Sequence, residues 1–236
     1  MNDKINNYYN ILNINKNKNR PKNWNNHHIE HNSHILCIGQ TGTGKTNALI
    51  DYLMRSNNEF NKIVVFTGST TDEPLYQELK NSDANIEFYT DINEMPKLED
   101  LECKGMQNQP KLIVFDDWIN LPEKELKEIY KYIVSSRKYG CSCFIMAQSY
   151  TSVPKIILRN VNYIILFKIN DNVSIRNIIR NHNLNDIDID LFKKAYHLST
   201  DKPFSFMLLD FKSTDDKDRI RNNFLNFLDL KKKKIN

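Results

Sequence analysis

From residue 34 onward, short wholly apolar runs alternate with amphipathic stretches. His34-Ile-Leu-Cys-Ile38 reads as a buried strand, followed by a glycine-containing loop and a helix over about 44–56. Lys62–Phe66 is a second strand, with a helix near Glu73–Lys80, a short strand at Ile86–Tyr89 and a polar connection over Leu98–Gln109. Lys111–Asp116 is the strongest strand in the chain. Pro122-Glu123 then opens a helix to about Arg137, with proline at a favoured first-turn position. Cys143–Ala147 and Asn162–Phe167 read as strands, Ser174–His182 and Asp190–His197 as helices, and Phe204–Leu209 as a last strand. Strands that are apolar throughout and separated by helices indicate a parallel sheet covered on both faces. No repeat of solenoid period is present. The expected architecture is one three-layer α/β domain over 34–210.

The flanks differ. Residues 1–33 hold 12 asparagines and no clear period, which predicts a flexible or loosely docked arm with Trp24 anchoring its end. Residues 211–236 carry eight Lys/Arg against four Asp, while residues 1–210 carry 25 of each sign. All of the excess charge therefore falls in an expected basic tail ending Lys231–Lys234, suited either to solubility or to contact with an anionic polymer. The longest apolar runs, such as Ile164–Phe167, fall far short of the roughly 20 residues of a membrane helix, so no membrane association is expected. The polar N-terminus predicts no secretory leader. Four cysteines without Cys-x-x-Cys spacing favour reduced intracellular thiols over disulfides or zinc.

Of six glycines, three are Gly39, Gly42 and Gly44. Gly39-Gln40-Thr41-Gly42-Thr43-Gly44-Lys45-Thr46 fits G-x-x-x-x-G-K-[ST], a match expected by chance about twice in a thousand chains of this composition. A buried strand precedes it and an amphipathic helix follows. In such a loop, successive backbone N–H groups and the helix N-terminus surround a β-phosphate. Lys45 would bridge β- and γ-phosphates and the Thr46 hydroxyl would hold Mg²⁺, with ATP as the nucleotide. Lys111-Leu-Ile-Val-Phe-Asp116-Asp117 places a carboxylate at the C-terminal edge of a central strand, where Asp116 would join the Mg²⁺ shell and Asp117 would accept a proton from attacking water. Cys143-Phe-Ile-Met-Ala-Gln148 ends another core strand in an amide able to sense a γ-phosphate or orient water. Arginine is scarce, eight in all, so Arg137 and Arg159 stand out as candidates for insertion into a neighbouring subunit's site. For either one, a surface arginine paired to a carboxylate is the plainer alternative.

Other features carry less. His27-His28-Ile29-Glu30-His31 matches the H-x-x-E-H pattern of zinc peptidases, but it lies in the Asn-rich arm without the helix that chemistry needs. Cys141 and Cys143 suit core thiols. Tyr8-Tyr9 and Phe224/Phe227 would stack bases or pack on the domain.

The order Gly-Gln-Thr-Gly-Thr-Gly-Lys-Thr, Leu-Ile-Val-Phe-Asp-Asp, Ser136-Arg137-Lys138-Tyr139-Gly140 and Phe-Ile-Met-Ala-Gln148 resembles the FtsK–HerA superfamily. Within it, the chain is most similar to the DNA-packaging ATPases of nucleocytoplasmic large DNA viruses and virophages, over about residues 34–225. Lys202-Pro-Phe-Ser-Phe-Met-Leu-Leu-Asp210 and Arg221-Asn-Asn-Phe224 also resemble that branch. The resemblance implies a RecA-like P-loop NTPase domain acting as a homo-oligomeric ring that drives double-stranded DNA into a capsid or its portal vertex. DNA would be held through its phosphates, in the infected cell's cytoplasm (a viral factory) or the virion. It further implies Lys45 and Thr46 at nucleotide and Mg²⁺, Asp116 in the metal shell, Asp117 at the base position, Gln148 as sensor and Arg137 as a finger acting in trans. Cellular relatives often carry Glu where Asp117 stands. Two other readings share the phosphate loop: a nucleotide-dependent switch or assembly factor without translocation, and a small-molecule kinase, which the absence of an arginine cluster over 139–158 disfavours.

Overall fold

A computed structural model describes residues 20–68, 73–81, 85–101, 109–182, 184 and 187–230. The strands are β1 (His34–Ile38), β2 (Lys62–Thr67), β3 (Ile86–Tyr89), β4 (Lys111–Asp116), β5 (Cys141–Ala147), β6 (Tyr163–Leu166), β7 (Met207–Asp210), β8 (Ile220–Asn222) and β9 (Asn226–Phe227). The helices are α1 (Lys45–Ser56), α2 (Pro74–Lys80), α3 (Glu123–Ser135), α4 (Lys155–Leu158), α5 (Asn172–Asn181) and α6 (Ile189–Ser199). They form one sheet in the order β3-β2-β4-β5-β1-β6-β7-β8-β9. The first six positions in that order pair in parallel; β7, β8 and β9 join antiparallel.

Every residue of β1, β4, β5 and β6 is buried, because alternate side chains meet different helix layers. Ile35, Cys37, Leu112, Val114 and Phe144 pack with Leu49 and Tyr52 of α1 and Tyr76 of α2. Leu36, Ile38, Ile113, Phe115 and Ile145 pack with Ile129 and Ile133 of α3, Ile178 of α5 and Phe192 and Tyr196 of α6. The expected three-layer α/β architecture is therefore present, with all parallel strands presenting their C-terminal ends to one edge.

Over the described residues, both flanks pack on the sheet. Residues 20–33 are docked: Ile29 and His27 are buried, and Trp24 begins a single 3₁₀ turn. The expected tail supplies β8 and β9, so the domain runs beyond residue 210. One side chain accounts for both. Arg221, buried in β8, donates to the His27 and His28 carbonyls at 3.0 and 3.1 Å and to Asp210 Oδ2 at 2.5 Å. Counting charge along the chain treats Arg221 as part of a solvated basic tail, whereas here it is a buried cross-link. Phe224 is buried as well, on Tyr52 and Phe206. The Lys231–Lys234 run, Tyr8-Tyr9 and residues 102–108 of the polar connection lie outside the described residues.

The ends of β2 and β4 are locked together. Gly68 N–H donates to the Asp116 carbonyl at 3.0 Å, and a Cβ on Gly68 would collide with the Asp117 carbonyl oxygen. Asp117 itself has φ +49, the left-handed region, so the chain turns sharply just past β4. Behind the turn, Trp118 is fully buried and its indole N–H donates to the Met146 carbonyl at 2.8 Å.

Two measurements follow from this packing. Gly68→Ala should lower stability by about 1–3 kcal/mol, because the added methyl has no space against the Asp117 carbonyl. An unchanged urea midpoint would show that the turn has slack. Burial holds the His27 imidazole down to about 3 and the His34 imidazole down to about 4. Their stabilisation is thus complete above the unfolded value of about 6.5 and is lost as pH falls toward the folded values. In NMR titrations both rings should stay neutral between about pH 7.5 and pH 5; a midpoint near 6.5 for either would mean that it is not packed as described.

Candidate active site

The loop between β1 and α1 occupies the C-terminal edge of the sheet. Gly39 N–H donates to the Ala147 carbonyl at 3.1 Å, fixing the loop's start to the end of β5. Thr43 closes the turn, its N–H and hydroxyl both donating to the Gln40 carbonyl at 3.2 and 2.7 Å. Gly42 and Gly44 have φ of +78 and +111, and Gly44 is the N-cap of α1. Such angles are strained for residues with a Cβ, which explains their places in the motif. Thr41 and Gly42 are exposed at the loop's crest. The Lys45 ammonium reaches back into the loop and donates to the Gly39 and Gln40 carbonyls at 2.9 and 3.3 Å. No acidic residue lies in the first turn of α1, so nothing on that helix offsets the positive end of its dipole.

Asp116 ends β4 beside this loop. Tyr76 O–H of α2 donates to its Oδ2 at 2.5 Å, and Asp117 N–H to its Oδ1 at 3.1 Å. Burial pushes the Asp116 carboxyl above its usual range; the Tyr76 bond opposes this, Asp117 adds to it and Lys45 counters it. Glu73, at the N-cap of α2, lies beside the Thr46 hydroxyl, which favours its charged form. Its carboxyl is also raised, first by burial and then by Asp116. Three carboxylates and one ammonium thus share a small volume at the mouth of the loop.

Among the described residues no three His, Cys, Asp or Glu side chains converge as a metal cage. Magnesium bound with a nucleotide takes one or two protein oxygens and completes its shell with water and phosphate. The donor set fits: the Asp116 carboxylate is hard and held at a raised value that a cation would relieve. Thr46 adds a neutral hydroxyl oxygen beside Glu73.

Gln148, at the end of β5, lines a cavity of about 250 Å³ with Gln40, Ser149, Asn170, Asp171 and Ser174. The structure therefore brings together Gly39 to Thr46, Asp116, Asp117 and Gln148. It does not bring Arg137 there. Arg137 lies in the 3₁₀ turn before β5, at the opposite edge of the sheet, where it donates to Asn160 Oδ1 at 3.2 Å. Arg159 caps α4 on the chain segment leading into the same edge. Glu73, Tyr76 and Gly68 were not found from the sequence. The available signal was their place just after β2, but the pairing of β2 with β4 is long-range and leaves no local trace.

A sequence profile of the P-loop containing dynein motor region matches residues 2–83, which includes the loop and β2. No curated protein sequence matches the chain. Among solved structures, the DNA-packaging ATPase B204 from Sulfolobus turreted icosahedral virus is similar at a TM-score of 0.58 and 13% identity, covering 82% of this chain and 97% of that one. The genome-packaging NTPase B204 of Sulfolobus turreted icosahedral virus 2, in complex with ATP-gammaS, is similar at 0.54 and 13%, covering 80% and 95%. The same protein with AMPPCP gives 0.51 and 11%. At such identities the likeness is one of fold, and the chain has the fold of a RecA-like P-loop NTPase.

Proposed function

We propose that the protein is a magnesium-dependent ATPase that translocates double-stranded DNA into a viral capsid as a homo-oligomeric ring. The carrying observation is the convergence of Lys45, Thr46 and Asp116 at one loop, with Tyr76 of α2 holding Asp116 and Glu73 lying beside Thr46. The fold shared with structures described as packaging ATPases supports the choice of motor. No helix among the described residues is long and apolar enough to cross a membrane.

In this reading, the loop N–H groups and the α1 N-terminus bind the β-phosphate, and Lys45 exchanges its two carbonyl partners for β- and γ-oxygens. Thr46 and Asp116 would hold magnesium, which would supply neutralisation of phosphate charge. Tyr76 fixes the rotamer of Asp116. Asp117 accepts the proton of attacking water, and Gln148 orients that water across the end of β5. The near-neutral balance of residues 1–210 suits a motor that grips DNA phosphates through limited contacts rather than one broad basic face. Assembly would occur in the infected cell's cytoplasm, at a capsid or portal vertex, with the product in the virion.

Arg137 sits too far from its own loop to act there. Strand β5 alone separates it from Gln148 by seven residues, about 23 Å of extended chain. In a ring, an arginine exposed on that edge would act on a neighbour's site, where contact with developing phosphate charge is worth roughly 10³–10⁵ in rate.

Hydrolysis of Mg-ATP should rise on adding duplex DNA at fixed, moderate salt. Lys45→Ala should lower that turnover by about 10²–10³-fold. Turnover indifferent to DNA would favour a nucleotide switch, phosphate transfer to a small acceptor a kinase, and no turnover would end the enzymatic reading. Mixing Arg137→Ala with Asp116→Ala subunits should restore part of the activity that each lacks alone. Absence of recovery would leave Arg137 as a surface partner of Asn160.

A further inference from the structure

The side of the loop away from Asp116 carries an aromatic feature that phosphate chemistry does not require. The turn Lys202–Ser205 is closed by Ser205, whose N–H and hydroxyl donate to the Lys202 carbonyl at 3.2 and 2.6 Å. This turn holds Phe204 at φ +60, an uncommon conformation for a bulky residue, and leaves its side chain 61% exposed. A bulky residue held in this conformation while mostly exposed buries little, and such strain concentrates at functional sites. Its ring is nevertheless set against the phosphate loop: a Cβ on Gly44 would come within 2.8 Å of Phe204 Cδ1.

Beneath it stands a column of buried rings. Phe167, just past β6, lies 3.4 Å from the same Gly44 position and also abuts Gly39. Phe167 meets Phe206 edge-on at 5.4 Å, and Phe206 meets Phe224 at 5.1 Å. Phe204 is the one member of this series that faces solvent.

The strand order gives the direction of a bound nucleotide. Asp116 and Gln148 end β4 and β5, on one side of β1, so the γ-phosphate points there. The rest of the nucleotide must leave the loop on the other side, over β6 and β7. Phe204 stands there, in the turn that leads into β7 and against the N-cap glycine of α1.

We infer that Phe204 is the platform on which the nucleobase stacks, a π-contact that accepts any base face. The inference rests on the nucleotide reading of the loop and assigns the base end of the same ligand. A base lost from an aromatic platform weakens binding by about 5- to 150-fold. A merely structural Phe204 would support the loop and affect every phosphate ligand alike.

Dissociation constants for Mg-ATP and for Mg-tripolyphosphate, which has no base, separate these cases in wild type, Phe204→Ala and Phe204→Tyr. Phe204→Ala should bind ATP about 5- to 150-fold more weakly and tripolyphosphate as wild type does, while Phe204→Tyr retains both. Equal weakening of both ligands in Phe204→Ala would make the ring a buttress of the loop and overturn the inference. So would no change in either. A wild type that binds neither ligand would instead remove the nucleotide reading itself.

Discussion

Asp116 ends a strand whose six residues are all buried, so its charge has to be met by the protein around it. An uncompensated carboxylate in that position would cost several kcal/mol. Compensation comes from the Tyr76 hydroxyl, the Asp117 amide and the field of Lys45, and each of these fixes a different part of the structure. Tyr76 ties α2 to the end of β4. The Asp117 amide requires the left-handed turn that Gly68 alone can sit beneath. Lys45 orients the loop that follows β1. The carboxyl remains raised despite all three, so the site retains an affinity for positive charge that the fold does not satisfy. Under the proposed function, a cation brought by a polyphosphate would complete what the strand leaves open.

The other demanding group is Arg221, buried at the far side of the sheet. Its guanidinium joins Asp210 of β7 to two carbonyls of the segment before β1, so the N-terminal and C-terminal flanks meet through one residue. Burial lowers the guanidinium from its ordinary value while Asp210 raises it, and the same burial raises Asp210. Removing either partner would strand the other in an apolar setting, which makes the pair a condition of docking rather than a surface ornament. The antiparallel strands β7 to β9 thereby become part of the domain and carry Phe206 and Phe224 under the phosphate loop.

Local pattern made most of the core legible. The central parallel strands were visible as near-continuous apolar runs, since burial on both faces removes the alternation that a one-sided sheet would show, while the half-buried edge strand β3 carries Glu87. The loop was legible because left-handed glycines, a lysine and a hydroxyl at fixed spacing are demanded by backbone geometry. Strand β8 was hidden: Ile220-Arg221-Asn222 has one apolar residue in three, and its central arginine reads as solvated until Asp210 is placed opposite. Glu73 and Tyr76 were hidden for a different reason. Their relation to Thr46 and Asp116 depends on β2 lying beside β4, and that adjacency is a property of strand order rather than of any segment. Phe204 was read as the start of a strand, whereas its positive φ places it in the preceding turn.

Strand β5 connects the two ends of the proposed mechanism. Gln148 follows its last residue, Arg137 precedes its first by four, and the strand is hydrogen-bonded in register to β4 on one side and β1 on the other. A strand pinned along both edges cannot slide to carry a signal. Any displacement of Gln148 on loss of a γ-phosphate would therefore have to move the sheet with it, Arg137 and Asn160 included. In a ring, the domain would then act as a rigid lever between one subunit's nucleotide and its neighbour's, and the bond between Arg137 and Asn160 would fix the angle at which that lever ends.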